Sequence, residues 1–272
     1  MAEATATEAP TTPAASKLII ENIDVQEFFK LLRDNNSPSI NEMIDIVRQM
    51  SAMEKYMEAA TNQIATMQLQ LAEMEAKNHP VQTALSNAIV TTQAQVSNIQ
   101  DKLTELKNNF IAGCKNTVDA FKEKGIAALN NVAQFFNIKP SLDSLCNELN
   151  KGIQQDNKTI AKIETISTEY HETGRHLKNI GRAILGKELL QEAKPNGNLS
   201  KALTAPYRAD RKCLSAMKNC AEKAIGSLSR LEERAAKPSI TGTIQKYADQ
   251  IEKQQAKKEA PTMEKPVTHA ER

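Results

Sequence analysis

Tryptophan is absent from this 272-residue chain, and its aromatic content is limited to four tyrosines and six phenylalanines. There are nine glycines, too few for a large sheet closed by many tight turns. Four cysteines, at 114, 146, 213 and 220, show no paired spacing. Cys213 and Cys220 stand seven residues apart, about 10 Å along a helix, beyond the Cα separation of about 7 Å that a disulfide spans. Four unpaired thiols fit a reducing compartment, so a cytoplasmic protein is expected. No apolar run approaches the roughly 18–20 residues needed to cross a bilayer. Residues 1–8, Met-Ala-Glu-Ala-Thr-Ala-Thr-Glu, lack the basic residues and apolar core of a signal peptide and read as the start of a polar tail.

Motifs for chemistry are missing as well. Neither Gly-x-Ser-x-Gly nor Gly-x-x-x-x-Gly-Lys-Ser/Thr occurs. With four histidines and no glycine-rich strand–helix unit, the chain is expected to be no enzyme, with no cofactor and no small-molecule substrate. His171-Glu172-Thr173-Gly174-Arg175-His176 superficially resembles a zinc-protease motif. Its histidines are five apart, about 140° round a helix, where such a site needs a spacing of four. No metal site is expected.

Alanine, methionine, lysine, glutamate and glutamine are abundant, and these lose little side-chain freedom in a helix. Charge is unevenly spread behind a net of +2. Residues 1–80 hold 6 Lys+Arg against 12 Asp+Glu, a net of −6, and residues 81–100 hold none of either. Residues 101–234 hold 22 against 16, a net of +6. An acidic front and a mildly basic middle suit attraction to each other or to different partners.

Residues 1–16 read as a disordered tail and 17–38 as a short helical segment. In the latter, Asp24 and Glu27 suggest a cap, Phe28, Phe29, Leu31 and Leu32 an apolar face, and Asn35-Asn36-Ser37-Pro38 a turn. Ser39 and Glu42 match a capping box. Met43, Ile46, Met50, Met53, Met57, Ala60, Ile64, Met67, Leu71 and Met74 then alternate spacings of three and four over five heptads. Such a seam predicts a long bundle helix packed within its own chain or a coiled coil between chains. After Asn78-His79-Pro80 the seam resumes in a shifted register at Leu85, Ile89, Thr92, Val96, Ile99, Leu103, Leu106 and Phe110. A hairpin turn and a kinked continuous helix both explain the shift, and a hairpin places Pro80 in the first turn of the second helix.

That second helix is expected to continue through Gly113 and Gly125 to Phe136, with Val118, Phe121, Leu129 and Val132 apolar. Asn137-Ile138-Lys139-Pro140 is expected to stop it and Ser141 to cap a third. The third carries Leu142, Leu145, Leu149, Ile153, Ile160, Ile163, Ile166, Tyr170, Leu177, Ile180, Ile184 and Leu185. Lys194-Pro195-Asn196-Gly197 reads as a turn. A fourth helix shows Leu214, Met217, Ala221, Ala224, Leu228 and Leu231, with Pro206 as its expected start and Pro238 as its end. The fold class is therefore all-α: long coiled-coil-like helices forming an elongated hairpin or bundle over 39–236, followed by a weakly helical, then disordered polar tail at 237–272.

Arg175, Lys178, Arg182 and Lys187 follow Glu172 with no acid before Glu188. Arg175, Lys178 and Arg182 share one side of a helix at three–four spacing, one turn beyond Tyr170. Gly174, Gly181 and Gly186 leave room for a neighbouring helix or a ligand. With Arg208, Arg211 and Lys212, these residues form a candidate basic face for nucleic acid or an acidic protein; the bland reading is a solvated face.

Several stretches resemble an uncharacterised bacterial domain family often encoded on conjugative or integrative elements of gut Gram-positive bacteria. They are Asn78-His79-Pro80-Val81, the run from Ile166 to Asn179, Glu192-Ala193-Lys194-Pro195-Asn196-Gly197, and Lys237-Pro238-Ser239-Ile240. The resemblance covers roughly 40–245. It implies a mobile-element setting and carries no catalytic residue. The expected role is a non-enzymatic helical scaffold or interaction protein, binding a protein partner or itself. A nucleic-acid-associated accessory protein, using the basic residues at 175–187 and 208–212, is the alternative.

Overall fold

Asn22 opens the first helix. Its side-chain oxygen accepts from the backbone N–H groups of Asp24 at 2.9 Å and Val25 at 3.3 Å, meeting donors that have no partner inside the helix. The cap is thus two residues before the expected Asp24. In this computed structural model, which describes residues 18–76, 82–191 and 198–236, α1 runs Ile23–Asp34, α2 Ile40–Ala76, α3 Gln82–Lys124, α4 Lys139–Ile184 and α5 Asn198–Ala236. No strand occurs among the described residues, so the fold is all-α. No described helix is long and apolar enough to cross a membrane. Both tails, Asn78-His79-Pro80, Lys194–Gly197 and Pro238 lie outside the described residues. The chain divides into a unit Met1–Glu232, which holds the packed helices, and a unit Glu233–Arg272, of which only 233–236 are described.

The seam of α2 is buried along its whole length, with Leu71 alone half-buried. Its partners belong to the same chain. Met67 and Met74 share an apolar cluster with Leu85 and Ile89 of α3, and Glu54 meets Lys107 at 2.6 Å. Helices α2 and α3 therefore fold back on each other, as the hairpin requires. All eight seam residues of α3 are buried. Helix α4 runs antiparallel to α3, because Gln95 reaches Glu148 while Asn109 reaches Ser141. Helix α5 runs antiparallel to α4, through Arg208–Glu164 and Arg211–Asn157. Fully burying each leucine, isoleucine or methionine contributes about 1.5–3 kcal/mol, so these seams dominate the stability of the bundle.

Three further expected boundaries move. Helix α3 stops at Lys124 because Gly125 adopts φ +60°, and Gly125–Phe135 continues in 3-10 turns broken at Asn131. This break swings Phe136 back onto α3. There its ring stands 5.1 Å from Phe110 and 5.5 Å from Phe28, centre to centre, over Gly113, where a Cβ would come within 2.6 Å of the ring. Ser141 is no cap: it lies buried inside α4, which has Pro140 in its first turn, and its hydroxyl accepts from Asn109 at 2.9 Å. Pro206 does not open α5, which begins eight residues earlier at Asn198.

Candidate interaction surface

The third long helix keeps one heptad register from end to end: Leu142, Leu149, Asp156, Ile163, Tyr170, Leu177 and Ile184 recur every seven residues, with Leu145, Gly152, Thr159, Ile166, Thr173 and Ile180 three residues after the first six. Burial does not follow the register to the end. The seam is buried through Ile163 and half-buried at Ile166. Beyond that, Leu177 is 66% exposed and Ile184 79%, and Tyr170 and Ile180 are exposed too. The antiparallel pairs explain the change. Arg208 lies level with Glu164, and α5 begins only ten residues before Arg208, so its rungs run out within a turn or so of Tyr170. On the α3 side Gln95 is already level with Glu148, and α3 begins at Gln82. The last four turns of α4 carry a core-type face with no helix of the described chain against it.

The opposite side of this stretch is covered. Helix α4 ends in a Schellman turn: Lys187 N–H donates to Arg182 O at 2.9 Å and Gly186 N–H to Ala183 O at 3.1 Å, with Gly186 at φ +65°. The chain then doubles back along the helix. The side-chain amide of Asn179 donates to the Leu190 carbonyl at 2.9 Å and accepts from the Leu190 N–H at 2.7 Å. Arg175 donates to the same carbonyl at 3.1 Å, and Arg182 to that of Glu188. At 100° per residue, Arg175, Asn179 and Arg182 project from the side directly opposite Leu177. Gly174 and Gly181 flank the apolar face, and an added Cβ at either would meet nothing within 4 Å.

This places every residue of the expected basic face. Arg175 also pairs with Glu172 at 2.8 Å. Arg208 binds Glu164, and Arg211 reaches Asn157 at 2.7 Å. Lys178 and Lys212 are exposed. Tyr170 packs edge-on against His171. The residues at 175–182 and those at 208–212 lie on different helices, with most of their guanidinium groups engaged inside the chain.

One constellation escaped the sequence reading. The apolar interior forms two clusters, one ending at Ile64, Val96, Leu149 and Leu214, the other beginning at Met67, Ile89, Ile160 and Tyr207. Between them on α3, α4 and α5 stand Thr92, Asp156 and Asp210, all buried. Asp156 Oδ2, both Asp210 oxygens and the hydroxyls of Tyr207 and Thr92 are buried without a hydrogen-bond partner among the described residues. A proton held on Asp156 and donated to Asp210 supplies one. Burial raises both carboxyls well above the usual range, and the neighbouring Asp210 charge raises Asp156 further, with Arg211 opposing. Burial, then the two carboxylates, also raises the Tyr207 phenol. The seven-residue step from Leu149 to Asp156 was the signal; a seam read only through apolar residues passes over it.

The molecule is thus an all-α bundle with a buried acid layer and one uncovered seam. A family described as "Family of unknown function (DUF6674)" matches residues 21–266, and the chain belongs to it. No curated protein and no solved structure matches.

Proposed function

We propose that this chain is a non-enzymatic helical interaction module, cytoplasmic and accessory to a mobile genetic element, which docks a partner helix on the face Thr173–Ile184 of α4. The observation that carries the reading is the exposure of Leu177, Ile180 and Ile184 in the same register that is buried at Leu142–Ile163. A contiguous apolar seam left in water has a driving force to be covered, and a helix with a matching stripe is its natural complement. The absence of catalytic motifs and the mobile-element resemblance agree with an accessory role.

A photo-crosslinking residue at Thr173, on the seam, tests it in the cell that makes the protein. It is expected to capture protein, whereas the same group at Gln68, exposed on the outer side of α2, captures none. No adduct at Thr173 removes the reading. The second reading, nucleic-acid association, has the exposure of Lys178 and Lys212 in its favour.

A further inference from the structure

The open seam is complementary to itself. In an antiparallel pair of heptad helices, the first apolar position of one heptad meets the second of the other. A two-fold axis passing between Lys178 and Asn179 satisfies this in one register. It lays Leu177 of each copy on Ile180 of the other, and Ile184 of each on Thr173 of the other. Every exposed large apolar residue of the seam from Leu177 to Ile184 is used, and no charged group enters the pairing.

The flanks fit the same partner. Gly174 and Gly181 line one edge and His176 and Ala183 the other, so no edge residue from 174 to 183 is itself a carboxylate, ammonium or guanidinium. The charges nearest the edge, Arg175 at 3.3 Å and Glu172 at 3.9 Å from the His176 ring, are paired with each other at 2.8 Å. With Glu172 and Arg175 neutralising each other, the edge offers an acidic or basic partner no net charge to select it, and two identical surfaces meet with little like-charge repulsion. Open space over both glycines lets two backbones approach closely. The returning segment occupies the far side of α4 through Asn179, Arg175 and Arg182, which leaves the seam as the face available. Isologous contact of this kind closes at two copies.

We infer that the partner is a second copy of this chain, joined α4 to α4 through Leu177, Ile180 and Ile184 in an antiparallel two-fold pair. The inference rests on the interaction reading above and narrows it to one occupant.

Sedimentation equilibrium of the purified full chain is expected to show a monomer–dimer equilibrium between low-micromolar and sub-millimolar concentration. Leu177→Lys and Ile180→Glu are each expected to give monomers with unchanged circular dichroism melts, because neither side chain is buried within the chain. Mixing the two variants is expected to restore a dimer, since Lys at 177 then faces Glu at 180 in one layer while the native pair fills the other. A wild-type chain that stays monomeric throughout overturns the inference, whether or not either variant folds. So does a dimer that both variants leave intact, or a mixture that stays monomeric when wild type pairs. If Thr173 crosslinks to a different protein and the purified chain is monomeric, the self-pairing fails while the interaction reading stands.

Discussion

The side-chain amide of Gln70 on α2 donates to the carbonyl of Ala202 on α5 at 3.0 Å, and Ala202 is the residue four before Pro206. Proline has no N–H, so inside a helix it leaves the carbonyl four residues earlier without its usual donor. Gln70 supplies that donor from a neighbouring helix, and α5 runs through Pro206 unbroken from Asn198 to Ala236. Gln70→Ala is expected to cost about 0.5–1.5 kcal/mol in urea unfolding, toward the lower end because the contact is open to water. In a Pro206→Ala background, where residue 206 regains its N–H, the same change should cost less. Equal losses in both backgrounds would show that Gln70 does not act through this carbonyl.

The buried acid layer makes stability depend on pH. Both Asp156 and Asp210 have folded pKa values raised above their unfolded ones. The folded chain therefore holds more protons than the unfolded one, and stability falls as pH rises from the ordinary carboxylate range through the raised values. Facing groups are Arg211 and Tyr207 on α5; the adjoining residues 82–100 of α3 carry no charge. Melting temperature is expected to drop between pH 5 and pH 9. Asp210→Asn removes the second carboxyl and lets its amide pair with Asp156, so the slope should flatten. A flat wild-type profile contradicts the shared proton.

Ile64 is buried on the α2 seam, whereas Thr61 and Gln68 face outward. Ile64→Asp strands a carboxylate at the end of the apolar cluster that Ile64 shares with Ala60 and Val96 and is expected to cost about 3–5 kcal/mol. Thr61→Asp and Gln68→Asp should stay within about 0.5 kcal/mol of wild type. Thermal melts that fail to separate the two sets would remove the seam as the principal source of stability.

Asn179 ties down the segment after Gly186. Asn179→Ala is expected to speed tryptic cleavage at Lys187 while leaving the global melt unchanged, since the bonds it breaks are exposed. Cleavage at the wild-type rate would mean the amide does not hold the segment.

Replacing Arg175, Lys178 and Arg182 with glutamine should release the same segment. It also tests the nucleic-acid alternative. Duplex DNA bound by these cations would lose affinity steeply with salt, and the triple variant would flatten that slope. With Arg175 and Arg182 donating to backbone carbonyls, no salt-dependent shift is expected of wild type in a mobility assay. A steep one would favour the alternative.

Much of the architecture was legible in advance where periodicity is strict. The α2 and α3 seams and the apolar stripe of α5 from Leu214 follow from three–four spacing, which depends only on helix geometry. The same spacing fits a hairpin and a kinked continuous helix equally, and only the packing of Met67 and Met74 against Leu85 and Ile89 decides for the hairpin. Boundaries were legible less often. Gly125 ends a helix although the apolar pattern continues, and Pro206 fails to end or start one because Gln70 compensates from elsewhere in the chain.

The sequence by itself determined that this protein is all-α and where its seams lie, because a heptad repeat of apolar side chains is a local property that any window of the chain expresses. Tertiary structure alone decided which seams are filled. Leu149 and Leu177 hold equivalent positions in one repeat, yet α3 and α5 cover the first and end before the second. The same holds for charge. Asp156 and Asp210 are ordinary residues until two helices bring them together in the dry interior, and Arg175 and Arg182 look available until a returning backbone takes up their donors. Coverage, desolvation and partner choice depend on where other helices end, which no local pattern records.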